Sequence, residues 1–320
     1  MEKKHITSIG GQAVLEGVMM RGPHKTAVAV RKPDKEIECK VEENTVKNRK
    51  KFFKLPIIRG VFNFVDSLLI GMKALMWSAE FVDLEDEGEE PQSKFDKWLE
   101  DKFSDKVKDI VIYMSLVFSI ILSVGLFILL PTVITRGLEW LLSFTAFDSV
   151  AKTGAFTSIV EGAVRLLIFV FYLALVSRMQ EIKRVFEYHG AEHKTIACYE
   201  NGEELTVENV KKHPRLHPRC GTSFLLFVMI ISILIFALLP KTGLFLRILL
   251  RLLLLPLVAG LSYEVIKLAG KSNNSCVKWL TKPGLWLQYL TTREPDDSQL
   301  EVAIESLKAV LTDNKEDDKW

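Results

Sequence analysis

The chain has 320 residues, 48% of them hydrophobic, with 42 Lys and Arg against 40 Asp and Glu. A net charge of +2 provides no basic excess, so nucleic acid is not an expected partner. The length would suit about two soluble domains, but the apolar residues are clumped into long runs, which exclude that architecture in favour of a membrane protein.

Residues 1–55 read as a β-containing cytoplasmic region. GGQAVLEGVMMRGP (10–23) points to a turn-rich, non-helical backbone. TAVAVR (26–31) and EIECKV (36–41) alternate apolar and polar residues on either side of Pro33-Asp34, the pattern of a hairpin. The first 50 residues hold no apolar signal core, so the first membrane helix is expected to direct insertion itself.

Residues 56–82 predict an amphipathic helix. Arg59, Asn63, Asp66 and Lys73 fall on one stripe at helical spacing, and the remaining face is apolar. Such a helix either packs on the other cytoplasmic parts or lies in the membrane interface with its stripe toward water or a partner. Residues 83–109 read as an acidic linker (DLEDEGEEPQ) and a short polar helix leading into the membrane.

Two transmembrane hairpins are expected, at 110–176 and 222–263. Residues 110–130 carry no charge, and 222–239 are nearly as apolar. A run of about 20 such residues matches the hydrocarbon core at helical rise. Residues 154–176 carry Glu161 and Arg165, and 242–263 carry Arg247 and Arg251. Charges at that depth are costly; they either snorkel outward or pair, and pairing that locks the second and fourth helices together is the favoured reading. Four spans offer too little polar lining for a conduction path, which argues against a small transporter.

Lys and Arg are plentiful before residue 110, between 177 and 221, and after the last span. Only Arg136 and Lys152 lie between the first two spans and Lys241 between the last two. The positive-inside rule then puts both termini and the 177–221 loop in the cytoplasm. The four cysteines are expected there as thiols or metal ligands.

The 177–221 loop holds four of the six histidines. Residues 179–194 suit helix, so His189 and His193, spaced i and i+4, share a face and can bind one cation. Glu192 adjoins them in a His-x-x-Glu-His pattern, where such a glutamate serves as general base for a metal-bound water. TIACYENGEELTV (195–207) centres Asn201-Gly202 between alternating arms and predicts a hairpin that folds the loop back. Thr206 can cap a brief helix that Pro214 ends. His213, His217 and Cys220 would then complete a metal shell. The bland alternative is two histidines sharing a helix face in a satisfied polar network. The 264–320 tail carries an aromatic cluster (Trp279, Trp286, Tyr289) and an amphipathic helix near 297–312.

GGQAVLEGVMMRGP, EYHGAEHKTIACYENG, HPRLHPRCGTSFLL and LTTREPDDSQLEVAIESL resemble the YqhQ family of bacterial membrane proteins, which carries a general description as predicted metal-dependent enzymes. The resemblance covers nearly the whole chain. It implies a bacterial cell-membrane location and supports the metal reading of His189, Glu192, His193, His213, His217 and Cys220. It also marks the N-terminal motif, with Glu16 and Arg21, as functional; Glu16 is a candidate further ligand if the motif packs on the histidine loop.

The expectation is a mainly α integral membrane protein with four transmembrane helices, an amphipathic helix and a small β-containing cytoplasmic module. Its first functional reading is a metal-dependent hydrolase using a divalent cation, zinc foremost. The alternative is a non-catalytic partner of other membrane proteins, such as the translocation or quality-control machinery, with Asp66 and Lys73 in its contact surface.

Overall fold

The computed structural model describes residues 5–44, 53, 55–81, 106–151, 153–240, 242–271, 274–312, 314 and 316–319. The acidic linker and the start of the polar helix after it lie outside the described residues. Contacts group the chain into two compact units. One comprises Met1–Val82, Val170–Ile235 and Thr242–Trp320, and the other Asp83–Phe169 and Phe236–Lys241.

The first unit is built on an antiparallel sheet of four strands in chain order: β1 (Gly10–Val14), β2 (Gly17–Arg21), β3 (Lys25–Arg31) and β4 (Ile37–Glu43). The hairpin expected at 26–41 is the β3–β4 pair. The glycine-rich motif is also a hairpin, with Val14 opposite Gly17 across a tight turn in which Glu16 takes φ 50°. Strand alternation sends two sets of apolar residues to opposite faces. Val18, Met20, Ala27 and Ala29 face one core, while Val14, Met19, Val28 and Val30 face another.

Helices cover both faces. On the first, α6 (Gln180–Glu200) and α11 (Asp297–Val310) bury Tyr188, Ala191, Ile196, Leu300, Ala303 and Leu307 against the sheet. On the second, Ala74, Ile70 and Trp77 of α1 (Ile58–Ala79) pack against it. The polar stripe of α1 turns toward the protein: Arg59 Nε donates to Glu264 Oε1 at 2.7 Å and Asn63 Nδ2 to Tyr263 OH at 2.9 Å. Its outer face presents Val65, Leu68, Leu69, Met72 and Met76. The helix therefore packs on its own protein through its polar side and leaves its apolar side outward. Glu264 and Tyr263 belong to α9 (Leu244–Lys271). Gly60 and Gly260 let the two helices meet closely; a Cβ added at Gly60 would sit 3.0 Å from the Gly260 Cα.

The hairpin expected at 195–207 is absent. Helix α6 continues through Glu200, and Asn201-Gly202 ends it. Gly202 takes φ 73°, its N–H donates to the Tyr199 carbonyl at 3.0 Å, and Glu203 N–H donates to the Cys198 carbonyl at 3.3 Å. This glycine termination of a helix uses the same left-handed backbone as a hairpin turn. The residues before it are buried, and packing carries the helix on. A short α7 (Val207–Lys211) follows, capped by Thr206 as expected. The His213–Cys220 stretch then leads into α8 (Gly221–Ala237). Helix α10 (Ser275–Thr291) links α9 to the tail helix.

The second unit contains α2 (Lys106–Val124), which runs through a π-turn at Gly125–Leu129 into α3 (Leu130–Leu142), then α4 (Asp148–Ala151) and most of α5 (Gly154–Val176). The first expected span thus extends to Leu142. Glu161 is 1% exposed and pairs with Arg165 of its own helix at 3.0 Å. Arg165 Nε also donates to the Phe127 carbonyl, inside the π-turn, at 2.9 Å.

Among the described residues, four helical stretches are long and apolar enough to cross a membrane: Ile58–Ala79, Val117–Leu142, Gly154–Val176 and Phe245–Leu268. Gly221–Ala237 is apolar but shorter. The set differs from the expected one, which had 222–239 in place of 58–79.

Candidate metal centre

His189 and His193 are one turn apart on α6, and their ring centroids lie 4.4 Å apart. The helix presents them to Cys220, the residue before α8. Cys220 Sγ sits 3.2 Å from His189 Nε2 and accepts from Thr222 N–H at 3.4 Å. One ligand atom from each of His189, His193 and Cys220 lies within 4.8 Å of the others.

The far side of each ring decides what these atoms can do. His189 Nδ1 is 2.8 Å from the Thr291 carbonyl, and His193 Nδ1 is 2.6 Å from the Arg215 carbonyl. A carbonyl only accepts, so each Nδ1 carries a proton and donates it. A cation that displaces any proton on Nε2 would then find both Nε2 lone pairs available, as in histidines that ligate metals. Arg215 is itself anchored by Nη1 to Thr292, at 3.3 Å from its hydroxyl.

Charge is concentrated here. Burial pushes the Cys220 thiol up, but the adjoining His189 and His193 outweigh it and hold the thiol well below its usual range. Burial likewise lowers His189, and the Cys220 charge overrides it, raising His189 to about 9. Glu192 is buried next to them, its carboxylate 3.9 Å from His189 Nε2. Burial pushes its carboxyl up, against the opposing pull of both histidines and a hydrogen bond from Gly11 N–H. The group therefore stands in an environment that favours proton exchange.

A cavity of about 500 Å³ opens onto this cluster. His189, Glu192, His193 and Cys220 line it, with Gly11 of β1, Ser67 of α1 and Tyr263 of α9 among the other walls. The N-terminal motif therefore packs on the histidine segment, and it is β1, not Glu16, that reaches the cluster. Glu16 is held by both Nε and Nη2 of Arg184, with Tyr188 OH donating to it at 3.3 Å. It does not line the cavity and is no ligand there. Arg21 does line the cavity and lies 4.0 Å from Asp66 of α1. Lys73 lines a separate cavity of about 200 Å³ beside β3 and β4.

The second histidine pair divides. His217 comes close, its ring centroid 5.6 Å from that of His193, but it is outside the converging set. Gln288 clamps its backbone, accepting from His217 N at 2.9 Å and donating to its carbonyl at 2.7 Å. Burial, above all, takes His217 down to about 4, despite Glu200 at 3.7 Å. His213 lies with Cys198 and Glu203 instead. Of the proposed shell, Cys220 joins the first pair and His213 does not. Sequence reasoning missed Gly11, Thr291 and Arg215, which act through backbone groups that carry no side-chain signal. Thr291 is also 102 residues from the histidine it orients.

The chain is 37% identical over 310 residues to "Uncharacterized protein YqhQ" of Bacillus subtilis (strain 168), covering 94% of this chain and 92% of that protein. No solved structure matches. Residues 55–313, which include the histidine cluster, match the family described as "Protein of unknown function (DUF1385)", and at that coverage the chain belongs to the DUF1385 family.

Proposed function

We propose that the protein is a multi-pass membrane protein of the bacterial cell membrane, with its sheet and histidine cluster on the cytoplasmic side. In this reading His189, His193 and Cys220 hold one divalent cation of the zinc class, and the centre performs hydrolysis. One observation carries it: both imidazoles give their Nδ1 protons to backbone carbonyls, His189 Nε2 lies 3.2 Å from the Cys220 thiol, and His193 converges on the same point. A lone nucleophilic cysteine needs only one such histidine, whereas two oriented rings and a thiolate make a three-donor set of the kind that leaves a position for water.

When bound, the cation lowers the pKa of a coordinated water toward neutrality. The chain supplies the rest. Thr291 and Arg215 fix the rings, Gly11 fixes the Glu192 carboxylate, and Glu192 takes a proton and returns it to the leaving group. The cavity beside the cluster accommodates the substrate.

Metal analysis of the purified full chain tests the site. The expected result is about one equivalent lost on His189→Ala, His193→Ala or Cys220→Ser. A wild-type level kept by all three sinks the proposal. Glu192→Gln separates catalysis from structure: it should keep the metal and fail to complement a deletion strain. Full complementation would favour the alternative, a non-catalytic partner of other membrane proteins such as the translocation machinery.

A further inference from the structure

Beyond the first cluster, a second set of metal-binding side chains is brought together by the end of α6. The Gly202 turn folds the chain so that Glu203 lies over Cys198, with Glu203 N–H on the Cys198 carbonyl at 3.3 Å. Pro214, just after α7, prevents the helix from continuing and leaves His213 at the same place. One ligand atom from each of Cys198, Glu203 and His213 lies within 4.8 Å of the other two. Cys198 and His213 are buried, and Glu203 reaches in from the surface.

His213 is 9% exposed, and its Nε2 is fully buried without a hydrogen bond. That nitrogen lies 3.3 Å from Glu203 Oε2. A buried imidazole nitrogen that finds no hydrogen bond is costly unless something else takes up its lone pair or proton. The neighbours add a second reason. A Cys198 thiolate and the Glu203 carboxylate, within 4.8 Å of each other, repel. A cation between them turns that repulsion into attraction and deprotonates the thiol.

We infer that Cys198, Glu203 and His213 form a second divalent-cation site of the zinc class, which fastens the stretch after α7 to the end of α6. A thiolate, an imidazole and a carboxylate suit zinc or cobalt over the hard oxygen-seeking cations. Asn201 Nδ2 lies 3.3 Å from His213 Nδ1. The role is structural. The stretch that this site fastens carries the Arg215 carbonyl, His217 and Cys220, which together frame the first cluster.

The test is cobalt and zinc titration of the full-length protein in detergent, after stripping with a chelator. Wild type should take up about two equivalents of Co²⁺ with thiolate-to-cobalt absorption from both cysteines. Cys198→Ser and His213→Ala should each bind about one, and Cys220→Ser should bind about one at the other site. Glu203→Gln changes a surface carboxylate and should weaken only the second equivalent, by about tenfold or more. The melting temperature of each stripped variant is compared with that of stripped wild type, so that loss of fold is not counted as loss of a ligand. If the first cluster binds nothing, wild type takes up about one equivalent and Cys198→Ser abolishes it, which supports this site and refutes the other. Unchanged stoichiometry and affinity in Cys198→Ser, His213→Ala and Glu203→Gln, or no uptake by wild type, overturns the inference.

Discussion

Gly11 is the point at which the N-terminal motif meets the chemistry. A Cβ at this position would lie 2.8 Å from Glu192 Cγ and 2.7 Å from the Met19 carbonyl. One contact is a backbone atom of the paired strand, which cannot move cheaply, so the Glu192 side chain would be displaced. Gly11→Ala should therefore cost about 1–3 kcal/mol by overpacking. It should also fail to complement a deletion strain while keeping metal at the wild-type level. Metal analysis alongside a thermal melt checks this, and metal lost in step with complementation would mean that the whole cluster had shifted. The His-x-x-Glu-His spacing was legible at this scale because i and i+4 residues on a helix share a face. The orienting carbonyls and the Gly11 N–H were not, since any residue type can supply a backbone group.

At the scale of elements, two helix ends set the frame of the site. Gly202 ends α6 in the left-handed region. Gly202→Ala places a side chain there and should destabilise the protein by about 1 kcal/mol; an unchanged melt would show that the turn does not need this conformation. Asn201-Gly202 misled as a hairpin signal because that dipeptide also ends helices, and only the burial of Thr195–Glu200 distinguishes the two. The tail helix α11 begins at Asp296, which accepts from Gln299 N–H at 2.9 Å in a capping box. Its carboxyl is partly desolvated, but hydrogen bonds from Ser298 and Gln299 and the charge of Arg184 hold its pKa below the usual aspartate value. A carboxylate depressed in the folded state adds stability that is present above the unfolded pKa and is lost as the pH falls through the folded one. Asp296→Asn keeps a capping oxygen but not the charge, so it should be less stable than wild type near neutrality, approach it at low pH, and lose less stability on acidification below about pH 4. Asp296→Ala should lose about 1 kcal/mol at neutral pH. Urea melts from pH 7 to pH 3 check both, and an acid limb in Asp296→Asn as steep as that of wild type would remove Asp296 from the account.

Across the whole molecule, the shared core constrains which helices could cross if the protein spans a membrane as proposed. The sheet, α6 and α11 bury one continuous cluster, so they lie on the same side. An even number of crossings must then separate the sheet from α6, and again α6 from α11. Between the sheet and α6 come α1, the α2–α3 stretch and α5, all apolar and long enough. Only two can cross, and α1 is the one excluded. Its later turns sit on the sheet, where Leu15 N–H donates to Ser78 Oγ at 3.2 Å and Ala74 joins the sheet's second core. In the proposed membrane reading, α1 then lies along the membrane, with its polar side inward and its apolar side toward lipid. In the same reading, α9 cannot cross alone between α6 and α11, so α8 would have to cross as well. Its 17 residues span about 26 Å at helical rise, a shortfall of a few Å that a bilayer accommodates by thinning. Length alone favours α1 over α8, whereas hydropathy, the sequence's charge pattern and the parity of the core all favour α8. Reporter fusions decide. A fusion in the 82–105 linker should read as cytoplasmic, and one after Lys241 as external. An external signal from the linker would mean that α1 crosses, and in that case the sheet and α6 could not share the core on which the metal centre rests.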